Sequence, residues 1–417
     1  MYRPNLFRCV AALWTVVACC STTFGQSYSQ SNWHPGIHVP HSQYAAPIVD
    51  YHVGQKPALW DDQQPIERAL TAVAKRSWMR FEYIHWTFAR PGSDPIGAPV
   101  LNPVDPQTVF DNLNGGIAAG VGVTPTLGNI GLDDVPGVRG TWGVDLKHAD
   151  FELQFFGTGQ VTDGFNITDI AAGRAAGTES IGTVNRPNIV TPLLSSGVSA
   201  DATTANYLIY DDAFDVDISS QMWGAEATFL TKPYYAGEGV DWQWLGGFRY
   251  LAYEEEFNHR GVFTSGGTLA TPEVSRIGGN TVNNLYGPEI GGRASIGNQW
   301  ISLSATPRIA FALNDYSAET YANPITATTP TRLSDGDIDF TPIVQVSFTG
   351  ELHLSPNFSV FGGYDFMWIY RLTRPHDNVV YNSLPGAAGA FTPSIEHATD
   401  LESFYTRGFS IGAVFRY

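Results

Sequence analysis

The last residues of the chain alternate between apolar side chains and small or polar ones. Phe409, Ile411 and Phe415 fall on the same face of this segment as the terminal Tyr417, whereas Arg416 falls on the other face. Successive side chains of a β-strand point to opposite faces, so a period of two is the pattern of a strand. The C-terminus is therefore predicted to be a strand with one apolar face that ends on an aromatic residue.

The same alternation recurs in nine segments further upstream. Most of them are long enough to cross a bilayer at a tilt, which takes about 9–11 residues. A secreted β-sandwich would also alternate, but its strands average about 5–6 residues, so the lengths favour a membrane barrel. With the last strand, the predicted strands are 77–90, 136–146, 150–161, 214–232, 241–257, 282–296, 299–314, 340–354, 357–372 and 402–417.

The connections between these segments alternate between short and long. The short ones are 147–149, 233–240, 297–298 and 355–356, and the long ones are 91–135, 162–213, 258–281, 315–339 and 373–401. Outer-membrane barrels have short periplasmic turns and long extracellular loops. We therefore predict an all-β fold, an antiparallel up-and-down transmembrane β-barrel of about ten strands. A further hairpin over 110–124 would raise the number to about twelve.

The N-terminal residues have the pattern of an export signal. Residues 1–25 combine a short basic stretch with an apolar stretch that is too short to span a membrane. Processing as a lipoprotein at Cys19 is an alternative. The three cysteines all lie in this segment, so no disulfide is expected after its removal. Residues 26–76 are expected to be a periplasmic linker in which 61–76 can form a short helix, and residues 77–417 form the barrel.

Composition and charge agree with an envelope protein. The chain has 11 Trp, 19 Tyr, 24 Phe and 43 Gly, as expected for aromatic girdles and strand bends. A net charge of −17 argues against a nucleic-acid partner. The expected location is the cell outer membrane, and the expected partners are its lipid and the barrel-assembly machinery, through the C-terminal strand. The oligomeric state stays open.

Several motifs resemble, in order along the chain, an uncharacterised family of outer-membrane β-barrels that is abundant in planctomycete bacteria. Within 284–292, which resembles the family's Asn-x-Tyr/Phe-Gly-x-Gln-x-Gly strand, Glu289 stands where Gln is expected. The resemblance implies a location and a fold, and it supplies no catalytic residue. The motifs that carry it are 78–86 with 96–100, 136–143, 245–251 with the acidic 254–256, 284–292 and 363–375.

Charged residues recur on the faces opposite the aromatic ones. Because charge on the lipid face is costly, we expect these residues inside the barrel. Two interpretations stay open: paired charges fill a small lumen, or the same charges line a wet channel. The predicted lumen-lining residues are Arg80, Glu82, Glu152, Glu226, Arg249, Glu289, Arg293, Arg308, Glu351, Asp365, Arg371 and Arg407.

The opposite, aromatic faces are expected to anchor the barrel in the membrane. Trp and Tyr are enriched at both membrane–water interfaces, where one end of the ring is apolar and the other is wet. The predicted anchoring residues are Trp242, Trp244, Tyr364, Phe366, Trp368, Tyr370, Phe415 and Tyr417.

Candidate metal sites are weak in the sequence. Asp335, Asp337 and Asp339 place carboxylates at alternate positions of a predicted long loop, which makes them a weak calcium candidate. A second acidic run over 211–217 matches a calcium loop no better. Four histidines over 34–52 lack neighbouring Cys or ordered carboxylates, so a polar linker is favoured over a zinc site. No cofactor or bound metal is expected.

Catalytic signatures are also weak. The sequence contains no Gly-x-Ser-x-Gly, no His-Glu-x-x-His and no phosphate-binding Gly loop. Neighbours such as His376-Asp377, or His353 near Glu351, arise easily by chance. The leading hypothesis is therefore a non-enzymatic, porin-like channel for passive diffusion of small solutes or ions. The alternative is a structural or surface-recognition barrel with a charge-plugged lumen and long loops that contact ligands or partners.

Overall fold

Ten long antiparallel strands carry the architecture of the computed structural model. The described residues are 71, 73–98, 121–123, 125–167, 179–181, 184–186, 188–190, 193–194, 206–208, 210, 212–235, 239–263, 271–323, 331–385 and 391–417. The ten strands are β1 (Ser77–Phe88), β2 (Val135–Asp145), β3 (Ala149–Thr158), β4 (Ala213–Thr231), β5 (Val240–Phe263), β6 (Glu273–Gly297), β7 (Ile301–Ala322), β8 (Thr331–Ser355), β9 (Phe358–Leu372) and β10 (Glu402–Arg416).

These ten strands close into a ring. Each strand from β4 to β9 pairs with the next, β9 pairs with β10, and β10 pairs with β1. The ring then continues through β2 and β3 back to β4. Every one of these pairs is antiparallel, and a closed ring has no free edge. The predicted up-and-down barrel of about ten strands is confirmed, and a two-sheet sandwich is excluded.

Shorter elements lie in the described parts of the connections. Val161–Ile167 pairs with residues 214–220 of β4, the part of that strand that extends past its pairing with β3. Val379–Pro385 forms a hairpin with Phe391–His397. Val121–Val123 pairs in parallel with Asn188–Val190 and not with a ring strand, so it adds nothing to the ring. The other short elements are Glu179–Ile181, Val184–Arg186, Leu193–Leu194, Asn206–Tyr207, Tyr234–Tyr235 and the 3-10 helix Leu127–Asn129.

The N-terminal predictions fall mostly outside the described residues. These are the signal peptide, the lipoprotein site at Cys19, the linker up to residue 70 and the histidines of 34–52. Only the end of the predicted short helix is described, where the amide of Lys75 donates to the carbonyl of Thr71 at 3.1 Å. Within the described part of the chain, no helix has the length and apolar character needed to span a membrane.

The two ends of the barrel differ in the length of their connections. At the short-turn end, three residues or fewer join β2 to β3, β6 to β7 and β8 to β9. At the long-loop end, two predicted loops are wrong: much of 258–281 and of 315–339 is strand. Strands β5 to β8 have 24, 25, 22 and 25 residues, at least twice the roughly 9–11 that a bilayer crossing needs. These strands therefore continue well beyond any membrane.

The outward face of the barrel changes character along the strands. In β7 the outward side chains are apolar from Ile301 to Leu313 and become polar from Asp315 onwards. The boundary falls at matching positions in the neighbouring strands, because Leu313 pairs with Phe340 and Asn284 pairs with Asp315. We call the part with the apolar exterior the membrane half. The projecting half comprises 213–221, 254–263, 273–284, 315–322 and 331–338.

The hydrophobic core lies inside the barrel towards its long-loop end. Its members come from the inward faces of the strands and from the connections, which fold over the mouth. Burial among these side chains lowers the pKa of His259 to about 3, so its ring is neutral, and it lies 3.1 Å from the hydroxyl of Tyr381. Representative members, all with 2% exposure or less, are Ile84, Phe88, Ile130, Phe214, Leu251, Tyr253, Leu285, Ile343, Ile369 and Phe404.

Candidate functional site: an ion-pair network across the lumen

The alternation of the strands places most of the predicted lumen residues inside the barrel. In β1 the even-numbered residues Arg80 and Glu82 point inward. Glu226 of β4 and Arg249 of β5 also point inward. Glu82, Glu226 and Arg249 are no more than 5% exposed. Since a buried charge is costly unless it is paired, the partners of these groups decide what the lumen can do.

One cluster is centred on Arg249. Its Nη2 lies 2.8 Å from Glu226 Oε1, and its Nε lies 3.2 Å from Glu289 Oε2. These are close ion contacts rather than aligned hydrogen bonds. Arg308, from β7, donates to the second oxygen of Glu226 in β4. Two strands separate β4 from β7, so this pair crosses the lumen, and two guanidinium groups balance two carboxylates.

A second cluster is centred on Arg139. Its Nη2 donates to Asp365 Oδ2 at 2.7 Å, and its Nη1 lies 3.6 Å from Glu82 Oε2. Arg80 contacts the other side of Glu82 and stacks on the ring of Phe361, 3.7 Å from its centre. Arg139 belongs to β2 and Asp365 to β9, with β1 and β10 between them. This cluster also joins walls that are not neighbours.

Two further pairs lie on the short-turn side of these clusters. Arg293 holds Glu152 with two hydrogen bonds of 2.8 Å, which again joins β6 to β3 across two strands. Arg416 donates to Glu351 at 2.5 Å and to the hydroxyl of Ser359 at 2.8 Å. A paired, two-point contact fixes the geometry of a guanidinium more tightly than a single one.

The inward side chains at this level are all shielded from water. All ten strands contribute an inward side chain that is at most 8% exposed, so water has little access to any of them. Arg249 also reaches Met367 Sδ on β9 at 3.9 Å, with three strands between them. One such side chain per strand, from β1 to β10, is Glu82, Arg139, Glu152, Glu226, Arg249, Glu289, Arg308, Gln345, Asp365 and Thr406.

Above the network, the connection after β9 enters the mouth of the barrel. Arg374 is 1% exposed and donates two hydrogen bonds to Glu255 of β5, at 2.7 and 2.8 Å. Its third nitrogen donates to the carbonyl of Arg90 and to Glu402, both at 3.2 Å. Arg374 therefore ties three parts of the rim together above the apolar core.

Neutral hydrogen bonds hold the same connection in place. The amide group of Asn283 both donates to the carbonyl of Thr373, at 3.0 Å, and accepts from its N–H, at 3.1 Å. Asn378 donates to the hydroxyl of Thr373 at 2.8 Å. The sequence analysis did not identify these residues or Arg374, because a connection has no periodicity to show that a side chain points inward.

Two predicted lumen residues lie outside the network. Arg407 faces outward, which corrects the prediction: it has the same parity as the exposed Phe409 and Ile411, and it pairs across the sheet with Phe366. It lies near the outer end of β10, where a long side chain can reach an interface with its charged end. Arg371 has a left-handed backbone (φ 59°) at an irregularity of β9 and pairs with Asp339 at 3.1 Å.

The predicted anchoring aromatics lie on the outward face. Trp244, Tyr370, Phe415 and Tyr417 are 43–71% exposed. Trp242 packs edge-to-face on Trp244, with ring centres 5.4 Å apart. The remaining predicted residues of this set, Tyr364, Phe366 and Trp368, occupy outward positions of β9. Their role as membrane anchors stays a prediction, and their outward placement is compatible with it.

The weak calcium candidate is not a loop. Asp335, Asp337 and Asp339 lie in β8, which corrects the predicted loop, and alternate positions of a strand are about 7 Å apart. Asp339 is paired with Arg371, and Asp335 accepts a hydrogen bond from Thr399. Among the described residues these carboxylates do not converge as a metal-ligand group.

Comparison with solved structures finds other barrels at low similarity. The outer membrane protease OmpT of Escherichia coli is 9% identical, with a TM-score of 0.41, over 82% of this chain and 97% of that one. A Pseudomonas aeruginosa FadL homologue is 8% identical, with a TM-score of 0.22, over 82% and 90%. The Pseudomonas putida toluene transporter TodX is 8% identical, with a TM-score of 0.17, over 82% and 90%. Likenesses at this level say nothing about activity.

Comparison of the sequence with known families is more informative. No curated protein matches the chain. Residues 78–417, which span the ten ring strands almost completely, match the family described as "Putative beta barrel porin-7 (BBP7)". The predicted resemblance to a barrel family of uncharacterised function is thereby confirmed. With the closed ring and its apolar exterior, the match identifies the chain as an outer-membrane β-barrel that belongs to the BBP7 family.

Proposed function

We propose that this outer-membrane barrel is closed to passive diffusion in the state described and acts through its projecting half. The observation that carries the proposal is the set of ion pairs across the lumen, of which Arg139–Asp365 and Arg308–Glu226 are examples. A small barrel is normally filled by its own side chains. The proposal therefore favours the charge-plugged alternative over the porin-like channel.

The apolar core above the network supports the same proposal. Solute that passed the ion pairs would next meet fully buried side chains such as Leu285 and Phe404, and then the connection held by Arg374. Opening both layers would expose apolar surface and unpaired charge, each of which costs free energy. A rigid, well-packed scaffold that presents loops is a common basis for recognition. No catalytic step is part of the proposal.

A porin-like channel is the second candidate, because the family description contains that term. A channel would require the network to move aside as a unit. Its charges would then be the wall that selects the solute. The two candidates make opposite predictions for the conductance of the resting protein.

Single-channel conductance of the refolded protein in a planar bilayer separates the two candidates. We expect no reproducible open steps from the wild type. We expect current only from a variant that loosens both layers. In it, Glu226→Gln and Arg308→Gln remove one cross-lumen pair, and Arg374→Gln with Glu255→Gln releases the connection at the mouth, in each case without leaving a net charge. Heat-modifiable gel mobility would show that each barrel is folded.

The matched control is Arg407→Gln, which removes an outward charge and should stay silent. Reproducible steps from the folded wild type would contradict the closed-lumen proposal and support the channel. Liposome swelling with sugars of increasing size would then give the width of the pore.

A further inference from the structure

The connection after β9 brings three metal-ligating side chains together at the mouth of the barrel. His376, Asp377 and Glu402 each offer one ligand atom, and these atoms all lie within 4.8 Å of one another. His376 and Asp377 belong to the connection, whereas Glu402 is the first residue of β10. A bound ion would therefore join the connection to the barrel wall.

His376 is the strongest part of this group. Its side chain is 1% exposed, and neither ring nitrogen makes a hydrogen bond of ordinary geometry, although the carbonyl of Pro91 lies near the ring. Nε2 points at the carboxylates, 3.4 Å from Asp377 Oδ2. A buried polar group without a partner costs free energy, so such a nitrogen usually has a use.

The charge around the group also favours a cation. Arg374 is already paired with Glu255, through two hydrogen bonds, and shares only its third nitrogen with one oxygen of Glu402. The carboxyl groups of Glu255, Glu402 and Asp377 surround one guanidinium, and Asp400 adds to the negative potential at Asp377 and Glu402. A bound divalent ion would compensate this excess of carboxylate.

We propose that His376, Asp377 and Glu402 form a divalent-cation site of the zinc class at the mouth of the barrel. One imidazole nitrogen and two carboxylate oxygens are ligands that Zn²⁺ takes at about 2.0–2.2 Å, with a fourth position for water. The carboxylate side chains are 27% and 38% exposed, which gives the ion a route from solvent. Calcium and magnesium prefer sites made only of oxygen.

The site is independent of the lumen network, so its test does not depend on whether the barrel conducts. The test is zinc binding to the refolded, untagged protein, by isothermal titration and by metal analysis after dialysis. His376→Gln and Asp377→Asn each remove a ligand while staying polar. We expect each to weaken zinc binding by about 100-fold, the upper range seen when the support of a metal site is lost.

His397→Gln is the matched control. It removes a histidine from the same connection that lies outside the group, where it contacts the hydroxyl of Thr320, and should leave the affinity unchanged. Heat-modifiable mobility would confirm that every variant is folded. A second readout is the visible spectrum of bound Co²⁺, which reports imidazole and carboxylate coordination in the wild type and should be lost in Asp377→Asn.

Two outcomes would overturn the proposal. One is a folded wild type that binds no zinc at micromolar concentration. The other is zinc binding that survives both ligand substitutions and disappears only when His34, His38, His41 and His52 are replaced together. The second outcome would assign the metal to the N-terminal segment.

Discussion

The membrane half and the projecting half of this barrel are built in opposite ways. In the membrane half the interior holds ion pairs such as Arg249–Glu226, and the exterior is apolar. In the projecting half the interior is largely apolar, as at Phe214 and Ile277, with the buried Arg374–Glu255 pair as an exception, and the outward side chains of β4 and β7 are polar. The five strands β4 to β8 therefore pass from lipid to water along their length, and the side-chain pattern inverts where they do.

The inversion follows from what surrounds each half. Lipid favours apolar side chains outside, so polar residues of the membrane half are confined to the lumen, where they must pair. Water outside the projecting half allows the usual arrangement of a soluble protein, with an apolar core. The core stabilises the mouth of the barrel, while the network fixes the relative positions of its walls.

The largest effect is expected from Arg249→Ala in the membrane half. The substitution leaves Glu226 and Glu289 buried beside a single remaining guanidinium, so we expect a loss of about 3–5 kcal/mol in the free energy of unfolding. Urea unfolding in detergent, followed by tryptophan fluorescence, would measure it.

The control for Arg249 lies on the same strand in the projecting half. Arg260 pairs with Asp215 on the outer surface, where 42% of its side chain is exposed. Arg260→Ala should cost about 1 kcal/mol or less. Equal losses from the two substitutions would mean that the lumen charges are solvated, contrary to the structure.

Next in size is Leu285→Ala, at the boundary between the core and the network. Leu285 is 0% exposed, and removing its side chain leaves a cavity, so we expect a loss of about 2–5 kcal/mol. Leu333→Ala is the comparison, because Leu333 is 40% exposed in the projecting half and should cost about 1 kcal/mol or less. A small loss at Leu285 would mean that the core is loosely packed.

The alternation in the sequence was enough to predict the ring, its strand number and the inward placement of ten of the twelve lumen residues. The prediction failed where the outer face of the strands passes from lipid to water. The segments 258–281 and 315–339 were predicted as loops because their outward positions are polar. Every strand was expected to face lipid with an apolar exterior, so strands whose outer face meets water were missed. Arg407 was assigned to the wrong face, although its parity with Phe409 was visible.

The partners of the charges could not be predicted. Arg139 and Asp365 are 226 residues apart in sequence, and their contact depends on the register of β1, β10 and their neighbours. Hydrophobic pattern fixes which face a residue occupies. It does not fix which residue it meets across a lumen, nor that a connection carries Arg374 into the mouth.

An Arg introduced on the outward face should destabilise the membrane half much more than the projecting half. Phe348 lies near the middle of the apolar exterior of β8, and Phe348→Arg should cost about 2–4 kcal/mol if lipid surrounds it. Ser334, on the same face of the same strand, lies in the projecting half, and Ser334→Arg should change stability by about 0.5 kcal/mol or less. Both would be measured by unfolding from liposomes, and equal costs would place the membrane boundary elsewhere.

The smallest effect concerns a buried carboxyl of the long-loop end that lacks its own guanidinium. Burial, reinforced by the charge of Glu402, raises the pKa of Asp377 to about 7 in the folded protein, against about 3.9 in an unfolded chain. Below pH 4 the carboxyl is protonated in both states and costs nothing. Between pH 4 and 7 the unfolded chain ionises first, so the stability of the metal-free protein falls as the pH rises.

Because about a quarter of the Asp377 side chain is exposed, water screens part of this cost, and on the order of 1–2 kcal/mol should remain. Asp377→Asn has no such group, so its stability in EDTA should fall less than that of the wild type between pH 4 and 7. The melting temperature, followed by heat-modifiable mobility, measures the difference. Parallel pH profiles for the two proteins would mean that this carboxyl is solvated and that, unlike the charges of the lumen, it carries no burial cost.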